Sequence, residues 1–229
     1  LDRNAERVKK ETLRPSIALP LGVSVGLWFL MFSPLTAPTR WLHDHAFWPA
    51  MSFSTSLLAA WALWAQRGQW KSRILRFEPK LVGLGLLHAA GLYALSRLGV
   101  FLMLTLFGDP VADYLSQIYS TRTQLPLWAV GMLLACLIAP AEEIFWRGWV
   151  QDHFQRTRGV TKGWLLTSLI YCGVHVSALN PPLLLAALVL GIHWGFLYRR
   201  TGSLVPGLVS HLVWDVCIFA LFPVEILGR

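Results

Sequence analysis

The sequence predicts an all-α fold: a polytopic membrane helix bundle of about seven transmembrane helices with its N-terminus cytosolic. Three observations predict it. Hydrophobic residues make up 55 % of the 229 and charged residues only 14 %, whereas an ordinary globular domain carries roughly 25 % charged residues. There are twelve Trp, a residue that favours membrane interfaces, and mean hydropathy is +0.52. Finally, Lys and Arg are distributed unevenly between the loops.

A spanning helix needs about 20 mainly apolar residues, and seven segments qualify, at roughly 16–36, 46–65, 81–107, 125–146, 163–179, 182–198 and 203–222. The first follows a charged head. It is longer than the usual signal-peptide apolar region and lacks a clear small-x-small cleavage site, so it is expected to be a transmembrane helix. The third is long and carries His88 and Arg97, which suggests a tilted or broken span. The sixth is short and begins with Pro181 and Pro182, residues suited to a first helical turn, where no amide donor is needed. Between the third and fourth, "GDPVADYLSQIYSTRTQ" is expected to form a short interfacial helix; between the second and third, "QRGQWKSRILRFEPK" reads either as a basic amphipathic segment on anionic lipid or as an ordinary cytoplasmic loop.

The charges fit this map. Sixteen Lys and Arg fall in the segments 1–15, 66–80, 147–162 and 199–202, against Arg40, Arg122 and Arg229 on the other side. This positive-inside bias sets the N-terminus inside and the C-terminus outside. It also accounts for the net charge of +8, which in a soluble protein would raise nucleic-acid binding; here the bilayer is the expected partner and nucleic acid is not. The chain is expected to be one integral membrane domain, 1–229, with three N-terminal helices and their loops in 1–124 and a four-helix core in 125–222. Cys136, Cys172 and Cys217 all lie in apolar segments, an odd count without paired spacing that predicts no disulfide framework and no zinc pattern.

Ionisable groups at membrane depth are costly and therefore mark function. In "LLACLIAPAEEIFWRGWVQ" Glu142, Glu143 and Arg147 close a run that carries no charge from Leu125 to Ala141. At 1.5 Å per residue, Glu142 lies about 13 Å below the inner surface, His175 about 16 Å, His211 about 12 Å, Asp215 about 18 Å and His193 about 9 Å. Four helices thus place their polar groups in one layer. Glu143 and Arg147 are spaced i, i+4, as are His211 and Asp215, so each pair shares a helix face. Glu142 points about 100° away from Glu143, which frees it for a different role.

A carboxylate and an imidazole from different helices can together take a proton from water, Glu142 as general base and a histidine holding the water or shuttling its proton. A second imidazole, His211, can donate to the oxyanion of a tetrahedral intermediate. Water attack on an amide carbonyl is the reaction class these groups suit. Zinc hydrolysis competes, because two His and one Glu are a zinc ligand set, but the chain has no H-E-x-x-H helix. Cys172, three residues before His175, also admits a thiol nucleophile.

"EEIFWRG" (142–148), "YCGVH" (171–175) and "HLVWD" (211–215) resemble the three motifs of the CPBP family, the CAAX-prenyl-protease and bacteriocin-processing, or Abi, intramembrane proteins. The resemblance covers about 125–222. It implies a glutamate-dependent intramembrane endopeptidase without cofactor or metal. Glu142 and His175 would activate water, His211 and Asp215 would form the oxyanion site, and Glu143 and Arg147 would brace the site or hold substrate. The implied substrate is a membrane-embedded or lipidated protein, including prenylated CAAX types, in the bacterial cytoplasmic membrane or, in a eukaryote, the endoplasmic reticulum. Two positions depart from the family pattern: Tyr171 stands where Phe is usual, and Asp215 where the prenyl proteases have Asn. An ionised Asp cannot donate to an oxyanion, so Asp215 acts protonated or by orienting His211.

Two other classes compete. A non-proteolytic immunity or scaffold protein would use the same polar layer to bind peptide or lipid. An ion-coupled transporter would use it to carry ions, although no internal repeat is evident.

Overall fold

The computed structural model describes residues 16–66 and 77–224. Every element among them is helical. Each of the seven apolar segments holds a helix, but the ends differ from those expected. The basic segment 67–76 and most of the charges that set the inside bias, those in 1–15 and 67–76, lie outside the described residues, as does Arg229.

Helix α1 (Ala18–Phe32) is followed by α2 (Ala37–Ala65), bent 82° from it. The start of α2 is capped reciprocally: the Thr36 hydroxyl accepts from the Thr39 N–H, and the Thr39 hydroxyl accepts from the Thr36 N–H. Two orphan donors of the first turn are thereby satisfied. The helix kinks at Ala46 (φ −139°, ψ 26°), close before Pro49. Proline lacks an N–H, and its ring crowds the carbonyl four residues back, here that of His45. The expected span 46–65 is the limb beyond this kink.

Helix α3 (Pro79–Phe107) is one unbroken helix of 29 residues. At about 1.5 Å per residue it exceeds the roughly 30 Å hydrocarbon thickness, which favours tilt over a break. It ends at Gly108 (φ 63°, ψ −137°), a backbone conformation that suits glycine. The chain turns there into α4 (Asp109–Ser120), which buries Val111, Leu115 and Tyr119. Helix α5 (Leu127–Arg158) runs well past the expected end at 146. Its middle, Ala139–Glu143, lies between two π-helical stretches, Leu134–Ile138 and Ile144–Gln151. Such stretches are rare, and they gather at functional sites. Pro140 sits at this junction, where it cannot donate to the helical ladder.

Helix α6 (Val160–Val174) stops sooner than expected, with His175 as its C-cap. Helix α7 (Pro181–Thr201) starts at Asn180, whose side chain accepts the Leu183 N–H, and ends at Gly202 in the left-handed conformation. Helix α8 (Val205–Leu221) finishes in a π-helical turn, Val216–Leu221. By length and apolarity α3, α5 and α7 can cross a membrane, and α1 with α2 adds a fourth if the bent pair is one broken span.

Two apolar clusters hold the bundle. One joins Trp28, Met31, Trp48, Trp146 and Val174 of α1, α2, α5 and α6. The other joins Leu92, Val100, Leu115, Leu190 and Trp214 of α3, α4, α7 and α8. Helices α3 and α8 pack closely at Gly85, where a Cβ would lie 2.7 Å from the Val209 Cβ and 2.8 Å from the Pro206 carbonyl oxygen. Gly85→Ala is therefore expected to destabilise the protein by about 1–3 kcal/mol through overpacking. Thermal unfolding in detergent checks this, and an unchanged midpoint would show that the two helices can separate freely.

Candidate active site

Helices α5, α6 and α8 carry the polar layer, and α7 closes it with an aromatic wall. A cavity of about 530 Å³ is lined by Glu142, Tyr171, His175, Trp194, His211 and Asp215 together with apolar side chains from both clusters. Glu143 and Arg147 lie behind that wall, each 1 % exposed. All six residues singled out in the sequence thus converge, four on the cavity and two as its backing.

Glu142 is held by the Tyr171 hydroxyl, which donates to its Oε2 at 3.0 Å. The Tyr171 backbone carbonyl also takes the Nδ1 proton of His175, at 2.8 Å. The other nitrogen of His175, Nε2, accepts from the Trp28 indole N–H at 3.1 Å. Indole nitrogen is donor-only, so the ring is the tautomer with its proton on Nδ1. Any water that addresses Nε2 must displace the indole.

Glu143 serves two partners with one oxygen. Its Oε1 lies 3.1 Å from Arg147 Nη1, an ion pair without hydrogen-bond alignment, and accepts from His211 Nδ1 at 3.0 Å. The spacing had suggested only the arginine. Gly207 of α8 permits this approach, since a Cβ there would lie 3.1 Å from Glu143 Oε2. The guanidinium of Arg147 sits 4.9 Å from the Tyr171 ring centroid and 5.4 Å from that of Trp194.

His211 therefore lies between two carboxylates, with its Nε2 3.4 Å from Asp215 Oδ2. A carboxylate at Nδ1 requires a proton on that nitrogen. Nε2 and Asp215 can then meet favourably only if one proton lies on either of them. In both arrangements that one proton is the pair's donor, and an oxyanion can accept it only in place of the partner. Trp194 stacks on His211, with centroids 3.7 Å apart and planes 17° from parallel, and its indole N–H donates to Ser210 Oγ at 3.2 Å. The imidazole plane is thus fixed.

Other candidates lie elsewhere. Cys172 points at the Leu184 carbonyl, 3.5 Å away, and does not line the cavity. His193 pairs with His88 across α3 and α7, Nε2 to Nδ1 at 3.1 Å, and its neighbour Trp194 takes the place on the wall. Arg97 lies beside the Tyr93 hydroxyl and the Pro223 carbonyl, near the end of α8. No three His, Cys, Asp or Glu side chains among the described residues are grouped to hold a metal ion. The nitrogens and oxygens that a zinc ion would need are largely committed, His175 to Trp28 and Tyr171, and Glu143 to Arg147 and His211.

Sequence reasoning missed Trp28, Trp194 and the hydroxyl of Tyr171. Nothing in the apolar stretch around Trp28 distinguishes that tryptophan from the others. Tyr171 stands inside a motif as a departure from the usual Phe, but a motif does not state what its hydroxyl meets.

Residues 124–217 match the family model described as type II CAAX prenyl endopeptidase Rce1-like, nearly the segment that carries the three motifs. No curated protein and no solved structure matches the chain.

Proposed function

From the match of residues 124–217 to the Rce1-like CAAX prenyl endopeptidase model, we propose that this protein is a glutamate-dependent intramembrane endopeptidase acting on a membrane-embedded or lipidated protein. The observation that carries this reading is a single one. Glu142 faces the same cavity as the His211–Asp215 pair, inside a bundle of apolar helices.

The reaction runs as follows. Water gives a proton to Glu142, and its oxygen forms a bond to the scissile carbonyl carbon. The carbonyl oxygen becomes an oxyanion and takes a hydrogen bond from the His211–Asp215 pair, which is prearranged for that charge. Glu142 then passes the proton to the amide nitrogen, the C–N bond breaks, and an amine and a carboxylic acid leave. His175 holds the water once the Trp28 indole yields Nε2. Glu143 and Arg147 keep His211 in place and do not touch substrate. Catalysis is metal-independent, because chain groups supply both base and oxyanion donor. The bundle is one domain with seven membrane-crossing or membrane-embedded helices, its N-terminus cytosolic, in the bacterial cytoplasmic membrane or, in a eukaryote, that of the endoplasmic reticulum.

The test uses the full chain in liposomes with a farnesylated CAAX peptide and its unprenylated counterpart, products being identified by mass spectrometry. Release of the C-terminal tripeptide is expected, unchanged by a zinc chelator. Both peptides remaining intact with folded protein would overturn the endopeptidase reading. Loss of cleavage on chelation would overturn metal independence.

A further inference from the structure

We propose that Tyr171 is the positioning residue of the general base: its hydroxyl holds Oε2 of Glu142 so that Oε1 alone is left to take the proton from water. The proposal rests on the reading of Glu142 as base.

The carboxylate has two oxygens, and only one is engaged by the protein. Tyr171 donates to Oε2 at 3.0 Å, while Oε1 has no hydrogen bond among the described residues. A tyrosine hydroxyl facing an ionised carboxylate is the donor, and such a bond to a charged acceptor is about twice as strong as a neutral one. A glutamate side chain free to rotate would offer either oxygen, in many orientations. The bond to Tyr171 removes that freedom.

The tyrosine can do this because its own ring is fixed. The edge of Trp146 meets it, with centroids 5.3 Å apart and planes at 84°. The Arg147 guanidinium covers it at 4.9 Å. On the side of α7, Gly191 leaves room, since a Cβ there would lie 3.2 Å from the Tyr171 Cδ1. The same residue holds His175 through its backbone carbonyl at 2.8 Å. One turn of α6 therefore sets the spacing between the base and the imidazole. The backbone bond survives any substitution at 171, whereas the bond to Glu142 needs the hydroxyl.

A phenylalanine would satisfy every ring contact and leave out only that bond. A merely structural tyrosine would still need a partner for its buried hydroxyl, so the substitution must be read by what it changes. In liposomes with the farnesylated CAAX peptide, Tyr171→Phe is expected to lower kcat about tenfold to a hundredfold, with KM within about twofold, as for the loss of a hydrogen bond to a charged group. In a Glu142→Gln background the same substitution is expected to slow the residual rate no further, because the pair acts as a unit. The infrared carboxylate band of Glu142, isolated as wild type minus Glu142→Gln, is expected to move in Tyr171→Phe whether or not peptide is cut. A wild-type kcat in Tyr171→Phe, or an unmoved band, overturns the proposal and leaves the base reading standing if Glu142→Gln is slow. A fast Glu142→Gln variant overturns both.

Discussion

Glu142→Gln is expected to lower kcat by about 10²–10⁴-fold, the usual contribution of a general base, with little change in KM or in the unfolding midpoint. Glutamine keeps the size of the side chain and an oxygen for the Tyr171 hydroxyl, which donates to Oε2 in the wild type. It cannot take a proton from water. The substitution thus separates proton transfer from packing, which Glu142→Ala would confound by emptying part of a buried site. Initial rates of peptide cleavage in liposomes measure it. A residual kcat within about tenfold of wild type would place the base elsewhere, since that is less than the smallest contribution expected of it.

Arg147→Ala is expected to cost about 3–5 kcal/mol of stability and to abolish activity, because it leaves a buried charge without its partner. Glu143 is 1 % exposed, and its Oε2 already has no hydrogen-bond partner. Its remaining support would be His211 at 3.0 Å, the ring that the oxyanion donor depends on. The guanidinium also fills space between the rings of Tyr171 and Trp194, so truncation loses packing as well as charge. Glu143→Gln together with Arg147→Met removes both charges and is expected to recover much of the stability, as replacing a whole buried pair often does. Denaturant or thermal unfolding in detergent distinguishes the variants. An Arg147→Ala protein as stable as wild type would show that the ion pair is not buried in the folded membrane state.

Much of the fold was legible because hydropathy is a local property. Each apolar segment holds a helix, and α4 appears where the outer loop had suggested one. The ends were less legible, for identifiable reasons. Helix α2 starts at Ala37 because the Thr36–Thr39 cap nucleates a limb ahead of the Pro49 kink, and neither feature is apolar. Helix α5 continues to Arg158 past the buried Gln151 and Asp152, because Gln151 donates to the Gly195 carbonyl at 2.8 Å and Asp152 pairs with Arg156 at 2.6 Å. Helix α6 stops at Val174, five residues short, where His175 leaves the helix to meet Trp28.

The candidate site divides along the same line. Depth follows from counting residues along each helix, so one sequence suffices to place Glu142, His175, His211 and Asp215 in a common layer. The i, i+4 pairs are also local, and both are found, at 3.1 Å for Glu143–Arg147 and 3.4 Å for His211–Asp215. What one helix cannot state is which way it is turned against its neighbours. A residue's direction changes by about 100° per position, and the π-helical stretches around Ala139–Glu143 shift that phase again. The bond from Trp28 to His175 joins residues 147 positions apart, and that from His211 to Glu143 joins residues 68 apart. Hydropathy and spacing along the chain are enough to read a helical membrane protein with acids and imidazoles at one depth. Which oxygen of which glutamate is held and which is free emerges only when the helices pack, because it depends on the rotation of four neighbouring helices, which no local pattern encodes.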